Sequence, residues 1–433
     1  MKTKSNFPKF LLLWTGELIS SIGGGLTSFG LGVYIFQKTG SAASMALVTL
    51  LGFLPTLLLS VPAGVLADRY DRRLLMMVGD GCSALGIVFI LICMIRGSAS
   101  LFQICIGVSV SALFSALLEP AFRATITDLL TEDEYSKASG LVSLAGSARY
   151  LFSPVIAGFL LTMSDVKLLL AIDICTFILT VISAAVVRKG IGSSKAGEKE
   201  AFLSSLKSGW NILCEKKGIL KLVLISSAVT LFMGALQILA EPLILSFSNA
   251  KILGIAETIC ACGMLASGIV LGVKGIKKNY VRILSLSLAL SGVFMLGFGL
   301  FENIYIICVF GFLFFAALPF ANNCLDYLMR TNIPAEAQGR AWGLIGFLSQ
   351  LGYVIAYAVS GAAADALGKM SGRGVGRGAA AVVLIAGICL AIVSASITLS
   401  GSIRKLETNE KQGTEMTKRQ KSGNNDIGRC GEY

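Results

Sequence analysis

From Phe10 to Phe36 the chain carries a single charged side chain, Glu17. A helix needs about 20 apolar residues to cross the roughly 30 Å of bilayer hydrocarbon, and this run exceeds that. Further apolar runs follow at about 42–66, 74–95, 101–127, 138–162 and 167–187. After a polar stretch come runs at about 219–247, 252–273, 281–301, 304–329, 340–366 and 379–402. Few architectures accept this pattern. Hydrocarbon offers backbone groups no partner, so only helices and closed barrels span it. Barrel strands alternate apolar and polar residues in segments of about ten, whereas these blocks are continuous. A secretory signal has an apolar part of about 7–15 residues with a soluble chain after it, which this is not. The expected fold is an all-α integral membrane protein with twelve transmembrane helices.

Charge agrees with that reading. Only 14% of the 433 residues are charged, where soluble domains average about 25%. The net charge of +12 does not point to nucleic acid, because no basic stretch is interleaved with aromatics as a stacking groove would be. The cations sort by side instead. With the N-terminus cytoplasmic, the inward segments hold 29 of the 37 Lys and Arg residues. The outward loops hold Lys38, Arg96, Lys167, Lys251, Lys369, Arg373 and Arg377, and Arg149 lies within a span. Cytoplasmic loops of membrane proteins are cation-rich, so both termini are expected in the cytoplasm and the chain in the cell membrane, among its lipids. The loop 368–378 is the exception, with three cations on the expected outer side.

Histidine is absent, which removes Ser–His and Cys–His catalysis and imidazole relays, so any titrating group must be a carboxylate. The 11 cysteines lie mostly inside apolar runs and read as small core hydrophobes. Cys260 and Cys262 do not have zinc-ligand spacing. There is no G-x-x-x-x-G-K-[ST] phosphate loop and no G-x-S-x-G elbow. An enzyme is not expected, and neither is a metal or other cofactor.

Residues 189–218 are polar and basic and divide the spans six and six, giving an N-terminal bundle over 1–188 and a C-terminal bundle over 219–402. Within the divider Phe202, Leu203, Leu206, Trp210 and Leu213 recur at helical spacing. This predicts an amphipathic helix on the inner membrane face, with Lys207, Lys216 and Lys217 near lipid phosphate. Residues 403–433 are expected to form a disordered polar tail. The halves also resemble each other. Gly64–Arg73 aligns with Gly268–Lys277 at a shift of 204, and Thr131–Gly140 with Pro334–Gly343 at a shift of 203. The second alignment sets Lys137 on Arg340 and Gly140 on Gly343. Two six-helix pseudo-repeats are expected, an arrangement that binds substrate between the halves near the midplane.

The most charged turn is Gly64-Val65-Leu66-Ala67-Asp68-Arg69-Tyr70-Asp71-Arg72-Arg73. It reads either as a solvated turn whose cations fix orientation, or as a gate. In the second reading Gly64 admits a close helix, Asp68 faces a helix N-terminus, and Arg69, Arg72 and Arg73 take carboxylates or lipid phosphates. With twelve spans and a central basic segment, the pattern Gly64-x-Leu66-Ala67-Asp68-Arg69-x-x-Arg72-Arg73 resembles the major facilitator superfamily over about residues 9–402. That family has glycine where this chain has Asp71, so the turn is expected to be looser, with Asp71 competing with Asp68 for the arginines. The resemblance implies an inner gate. Asp68 would latch onto the facing half at the start of the eleventh helix, near Gly339 and Arg340, with Asp128 a second partner for Arg69 or Arg72. The fifth helix is similar to the family's antiporter pattern G-x8-G-x3-G-P-x2-G-G at Gly140, Pro154 and Gly158. Ser153 and Ala157 are small substitutes there, and Arg149 replaces a glycine. Pro154 and Gly158 mark that helix as a kinked hinge. Glu119-Pro120-Ala121-Phe122 and Gly339-Arg340 resemble the macrolide-efflux and siderophore-export-like branch.

An ionisable group among lipid tails costs roughly 2.5–3.5 kcal/mol, so each should face a cavity or a partner. Arg149 falls near the middle of the fifth helix. It reads either as a structural ion pair with Glu119, Glu17 or Asp80, or as a part of substrate or proton coupling. Glu119 and Arg123, four apart, can pair on one helix face. Under the 203 shift Glu119 meets Asn322 and Arg123 meets Asp326, so the fourth and tenth helices present polar groups, Asn323 among them, from equivalent places. In the family, helices one, four, seven and ten line the cavity, which adds Gln237 and Glu241. Asp173 and Glu257 lie nearer outer helix ends and are expected to be solvated at the interface. The resemblance implies a monomeric secondary transporter that exports hydrophobic or amphiphilic small molecules, such as drugs or macrolides, in exchange for protons. Desolvated carboxylates favour the neutral form and could carry those protons, with Glu17 and Glu119 first in line. An uptake permease, a siderophore exporter, a lysophospholipid flippase and a non-transporting sensor are alternatives on the same scaffold.

Overall fold

The structure, a computed structural model, describes residues 6–188, 210, 217–333 and 338–407. Within them it describes every side chain except those of residues 61, 68, 132, 136, 217 and 338–340. Among the described residues, twelve helices are long and apolar enough to cross a membrane. In the first half they are α1 (Phe7–Thr39), α2 (Ala42–Arg69), α3 (Arg72–Ile95), α4 (Leu101–Leu129), α5 (Tyr135–Met163) and α6 (Val166–Arg188). In the second half they are α7 (Lys217–Leu245), α8 (Ala250–Lys274), α9 (Tyr280–Leu300), α10 (Ile304–Asn332), α11 (Gln338–Ser371) and α12 (Val375–Leu399). No strand occurs among the described residues.

Local chemistry sets the helix ends. Ser41 Oγ accepts the Ser44 N–H, Asn249 Oδ1 that of Ile252, and Asn303 Oδ1 those of Tyr305 and Ile306. Ser100 and Gln103 form a reciprocal capping box at the start of α4. Gly40 ends α1 with φ +60°, a left-handed conformation that costs glycine little. α4 comes in two pieces, Leu101–Ser115 and Leu118–Leu129. Pro120 has no N–H to give the Ala116 carbonyl, so the ladder is interrupted there.

Successive spans run antiparallel. The α2–α3, α4–α5, α8–α9 and α10–α11 connections therefore share one face with the start of α1 and the end of α12, the terminal face. In the first half α1 packs on α5 and α6, and α3 on α4 and α6. In the second half α9 packs on α10 and α12, α7 on α11 and α12, and α8 on α10. The halves meet where α5 lies against α8 and α2 against α11. Leu26, Phe29, Val33, Ala42 and Ala157 share a core with Phe232, Leu239 and Leu253 of the second half, all away from the terminal face. Toward the terminal face the first half keeps a separate core of Phe10, Leu13, Met76, Phe122 and Leu129.

Glycines report the same asymmetry. A Cβ on Gly158 of α5 would lie 2.7 Å from the Ala250 carbonyl at the head of α8, and one on Gly361 of α11 would meet the Ala42 carbonyl of α2. Toward the terminal face of the same four helices, a Cβ on Gly64, Gly140, Gly146, Gly268, Gly272, Gly343 or Gly346 would meet nothing within 4 Å. The bundle is shut at the opposite face and parted at the terminal face.

Beyond α12, residues 401–407 form a further helical turn with Ile403 and Leu406 buried. The Glu407 carboxylate accepts the Tyr280 and Val281 N–H groups at the head of α9. The disorder expected from residue 403 therefore does not hold for 403–407, because their apolar face has a groove to fill. Residues 408–433 lie outside the described residues, as does the amphipathic helix expected within 189–218 apart from Trp210 and Lys217–Gly218.

Candidate functional site

Polar side chains stand between the helices that part toward the terminal face. On α4, Arg123 Nη2 and Glu119 Oε1 pair at 2.8 Å, both exposed. Glu119 lies within electrostatic reach of Glu17 on α1, so this pair looks inward across the bundle. On α10, Asn322, Asn323, Asp326 and Arg330 are exposed along one stripe, and the Arg330 guanidinium lies 5.4 Å from the Trp342 ring of α11. A polar stripe at span depth is too costly against lipid, so it too faces the cavity. The two stripes stand on helices that the 203 shift makes equivalent.

The inner end of the cavity is aromatic. Phe53 of α2, Tyr353 and Tyr357 of α11 pack as a triangle with all three centroid separations at 5.7 Å. The Tyr357 hydroxyl donates to Gln237 Oε1 on α7 at 3.1 Å, and the Tyr353 hydroxyl approaches the Met233 sulfur at 3.1 Å. Gln350 Oε1, one turn before Tyr353, is buried and has no hydrogen-bond partner among the described residues. Gln237 was expected from its place on α7. The tyrosines were not, since an aromatic inside an apolar run carries no mark distinguishing a cavity wall from packing.

Arg149 bears on one of its two readings, the structural ion pair. Among the described residues it pairs with none of Glu17, Asp80 or Glu119; its Nη2 donates to Ser28 Oγ on α1 at 2.8 Å. Those carboxylates are otherwise placed. Asp80 is buried at 2% exposure with Oδ1 unpartnered, and Glu17 is half-buried. Asp173, expected to be solvated, is 1% exposed and accepts the Thr27 hydroxyl at 2.6 Å. Glu241 has Oε2 unpartnered and set against the α1 backbone at Gly32, with Glu257 of α8 in electrostatic reach. Glu257 too is half-buried, away from the solvated position expected of it. Asp80 and Asp173 face other helices of the first half, and Glu241 faces α1 across the halves, contacts that sequence position alone does not reveal.

At the terminal face the charged turn is tied within its own half. Arg72 Nη1 bonds Asp128 Oδ1 at 2.6 Å and the Ala124 carbonyl at 2.8 Å, while the 1%-exposed Arg73 bonds Asp128 Oδ2 at 3.1 Å. Arg69 is exposed. Asp71 does not loosen the turn: it caps α3 by accepting the Arg73 N–H and pairs with Arg188 Nε of α6 at 2.8 Å. Partial burial alone would raise the Asp71 carboxyl, but the Arg188 hydrogen bond and the Arg73 and Leu74 N–H groups outweigh it and hold it below its ordinary value. The side chains of Asp68 and Arg340 lie outside the described residues. Gly339 opens the parted end of α11.

At the shut face Pro154 and Gly158 of α5 meet Gly254 and Ala250 of α8 backbone to backbone. A carboxylate missed by sequence reasoning, Asp365 of α11, caps α2 across the seam. It accepts the Ser41 hydroxyl at 2.6 Å and the Ala42 and Ala43 N–H groups at 2.9 and 3.2 Å. Its negative charge therefore sits on the positive end of a helix of the other half.

Residues 13–357 match the family described as the Major Facilitator Superfamily. Macrolide efflux protein A of Streptococcus pyogenes is 25% identical over 369 residues, covering 83% of this chain and 90% of that protein. The staphyloferrin A transporter of Staphylococcus aureus is 26% identical over 315 residues, covering 71% of this chain and 76% of that protein. A solved structure of a bacterial homologue of the iron transporter ferroportin, in an inward-facing state, aligns with TM-score 0.71 at 14% identity. That alignment covers 91% of this chain and 99% of the other. With twelve spans in two six-helix halves and a family match over most of its length, this chain belongs to the major facilitator superfamily of transporters.

Proposed function

We propose that the protein exports hydrophobic or amphiphilic small molecules by alternating access, driven by inward proton flow. The observation that supports this reading is a bundle whose helices meet backbone to backbone at one face and stand apart at the other, with polar and aromatic side chains between them. Such a bundle can exchange its open and shut faces by rocking one half against the other. The distribution of Lys and Arg favours the terminal face as cytoplasmic, so the cavity as it stands would load from the cell interior. Similarity to a macrolide efflux protein favours export of drug-like cargo, and similarity to a staphyloferrin A transporter keeps cargo of that kind as a second candidate. Glu17, Glu119, Asp80 and Glu241 are the acids available at span depth for proton exchange. A proton or a substrate shifts the balance of states only by binding one of them more tightly. The chain is taken to act as a monomer.

The test is transport into everted vesicles with a panel of dyes and macrolides under an imposed pH gradient. Accumulation should collapse with the gradient; accumulation indifferent to it rejects proton coupling. Glu119→Gln should lower export and flatten its pH dependence, and an unchanged profile would make the Glu119–Arg123 pair structural.

A further inference from the structure

We infer that the cavity takes compounds joining an anionic group to an aromatic ring, with Arg149 receiving the anion. This rests on the transporter reading and names its substrate class. Arg149 stands at the middle of α5. Its guanidinium reaches Ser28 of α1 in its own half and lies within electrostatic reach of Tyr357 of α11 in the other. A group that touches α1 and faces α11 points into the seam between the halves. The α1 wall one turn away is bare, because a Cβ on Gly24 would meet nothing within 4 Å.

Among the described residues, Arg149 has no carboxylate partner at that seam. Glu119 is held by Arg123, and Asp326 stands one turn from Arg330. Asp173, the acid in electrostatic reach of Arg149, spends its oxygens on Thr27 and Thr176. Glu241 is set against Gly32, and Asp80 is buried in the first half. A hydroxyl satisfies one of the five guanidinium N–H donors and none of its charge. The remaining donors form a fork that suits a carboxylate or sulfonate. Beside it stand Tyr150, 55% exposed, and the Phe53–Tyr353–Tyr357 triangle. The exposed Tyr150 ring and the half-buried Phe53 and Tyr353 rings offer stacking to a planar body rather than a slot for an acyl chain.

The purified full-length protein would be titrated with two dyes sharing one fluorophore, the anionic dansyl-glycine and the cationic dansyl-ethylenediamine, read by fluorescence anisotropy. The wild type should prefer dansyl-glycine by at least about tenfold, the scale of one charge-assisted contact. Arg149→Gln should erase that preference by weakening dansyl-glycine alone, and Arg149→Lys should keep most of it. The melting temperature shows whether each variant is folded. The wild-type preference stands as a test even if Arg149→Gln is not. Equal affinity for the two dyes, preference for the cation, or equal loss of both in a folded Arg149→Gln overturns the inference. Displacement of bound dansyl-glycine by 2-naphthoate should exceed that by decanoate; the reverse order would assign a lipid anion and overturn the aromatic part. Charge-selective binding with no movement in vesicles would fail the export reading alone. Charge-indifferent binding in a chain that still exports would fail this site alone.

Discussion

Asp128 holds two arginines at once, and one of them, Arg73, is almost wholly buried with its Nε unpartnered. Removing the carboxylate leaves an uncompensated buried cation, a change that costs about 3–5 kcal/mol in buried pairs. Asp128 and Arg72 retain some solvent, so Asp128→Asn should fall near the lower end, at about 3 kcal/mol. A melting temperature in detergent within a degree of the wild type would show that Arg73 finds other partners. Asp71 supports a pH prediction at the same scale. Its carboxyl titrates in the folded protein below the ordinary value of 3.8. Its contribution to stability is therefore complete above that value and drains away as the pH falls through the lower folded one. The melting-temperature difference between wild type and Asp71→Asn should be constant from pH 7 to 5 and shrink below about pH 4. A gap that widens in acid would contradict the pairing with Arg188. The Glu119–Arg123 pair was legible in the sequence because a spacing of four fixes two side chains on one helix face. The hydroxyl partner of Arg149 was not, because Ser28 lies 121 residues away and the approach of α1 to α5 decides it.

Among the elements, continuous apolar blocks made all twelve spans readable, since a barrel strand would alternate and only a helix satisfies the backbone of an unbroken apolar run in lipid. The break inside α4 was hidden in a run that hydropathy reads as unbroken, although Pro120 marks it in hindsight. The cap on α2 supplied by Asp365 comes from 323 residues away, beyond the reach of any local pattern. That cap joins the halves at the shut face, so it should bias the conformational equilibrium rather than only fold stability. A helix cap contributes about 0.5–2 kcal/mol, and 1.4 kcal/mol is a factor of ten in a population. Asp365→Asn keeps the oxygen but loses the charge, and should raise the population opened at this face by up to about tenfold. Spin labels at the exposed Gln37 and Met370 would report this as growth of a longer-distance component. An unchanged distance distribution would mean that the glycine contacts of α5 with α8 hold the face alone.

For the whole molecule, an alternate state must bring together the surfaces that are now apart. The shut face shows what that requires: helices in backbone contact at Gly158, Gly254 and Gly361, with no room for a Cβ. At the parted face α2 carries Gly64 and α11 carries Gly343 and Gly346 with nothing in reach. α5 and α8 likewise carry Gly140, Gly146, Gly268 and Gly272. If the halves rock about the cavity, these glycines are the ones that meet when the terminal face closes. A side chain there would be harmless in the present state and obstructive in the other. Gly64→Leu and Gly343→Leu should therefore leave the melting temperature and dye binding near wild-type values while reducing vesicle transport by about five- to 150-fold, since overpacking a close helix contact costs typically 1–3 kcal/mol. Alanine at the same positions should act in the same direction and less strongly. Full transport by both leucine variants would mean that the terminal face closes through other surfaces, or does not close by helix contact at all.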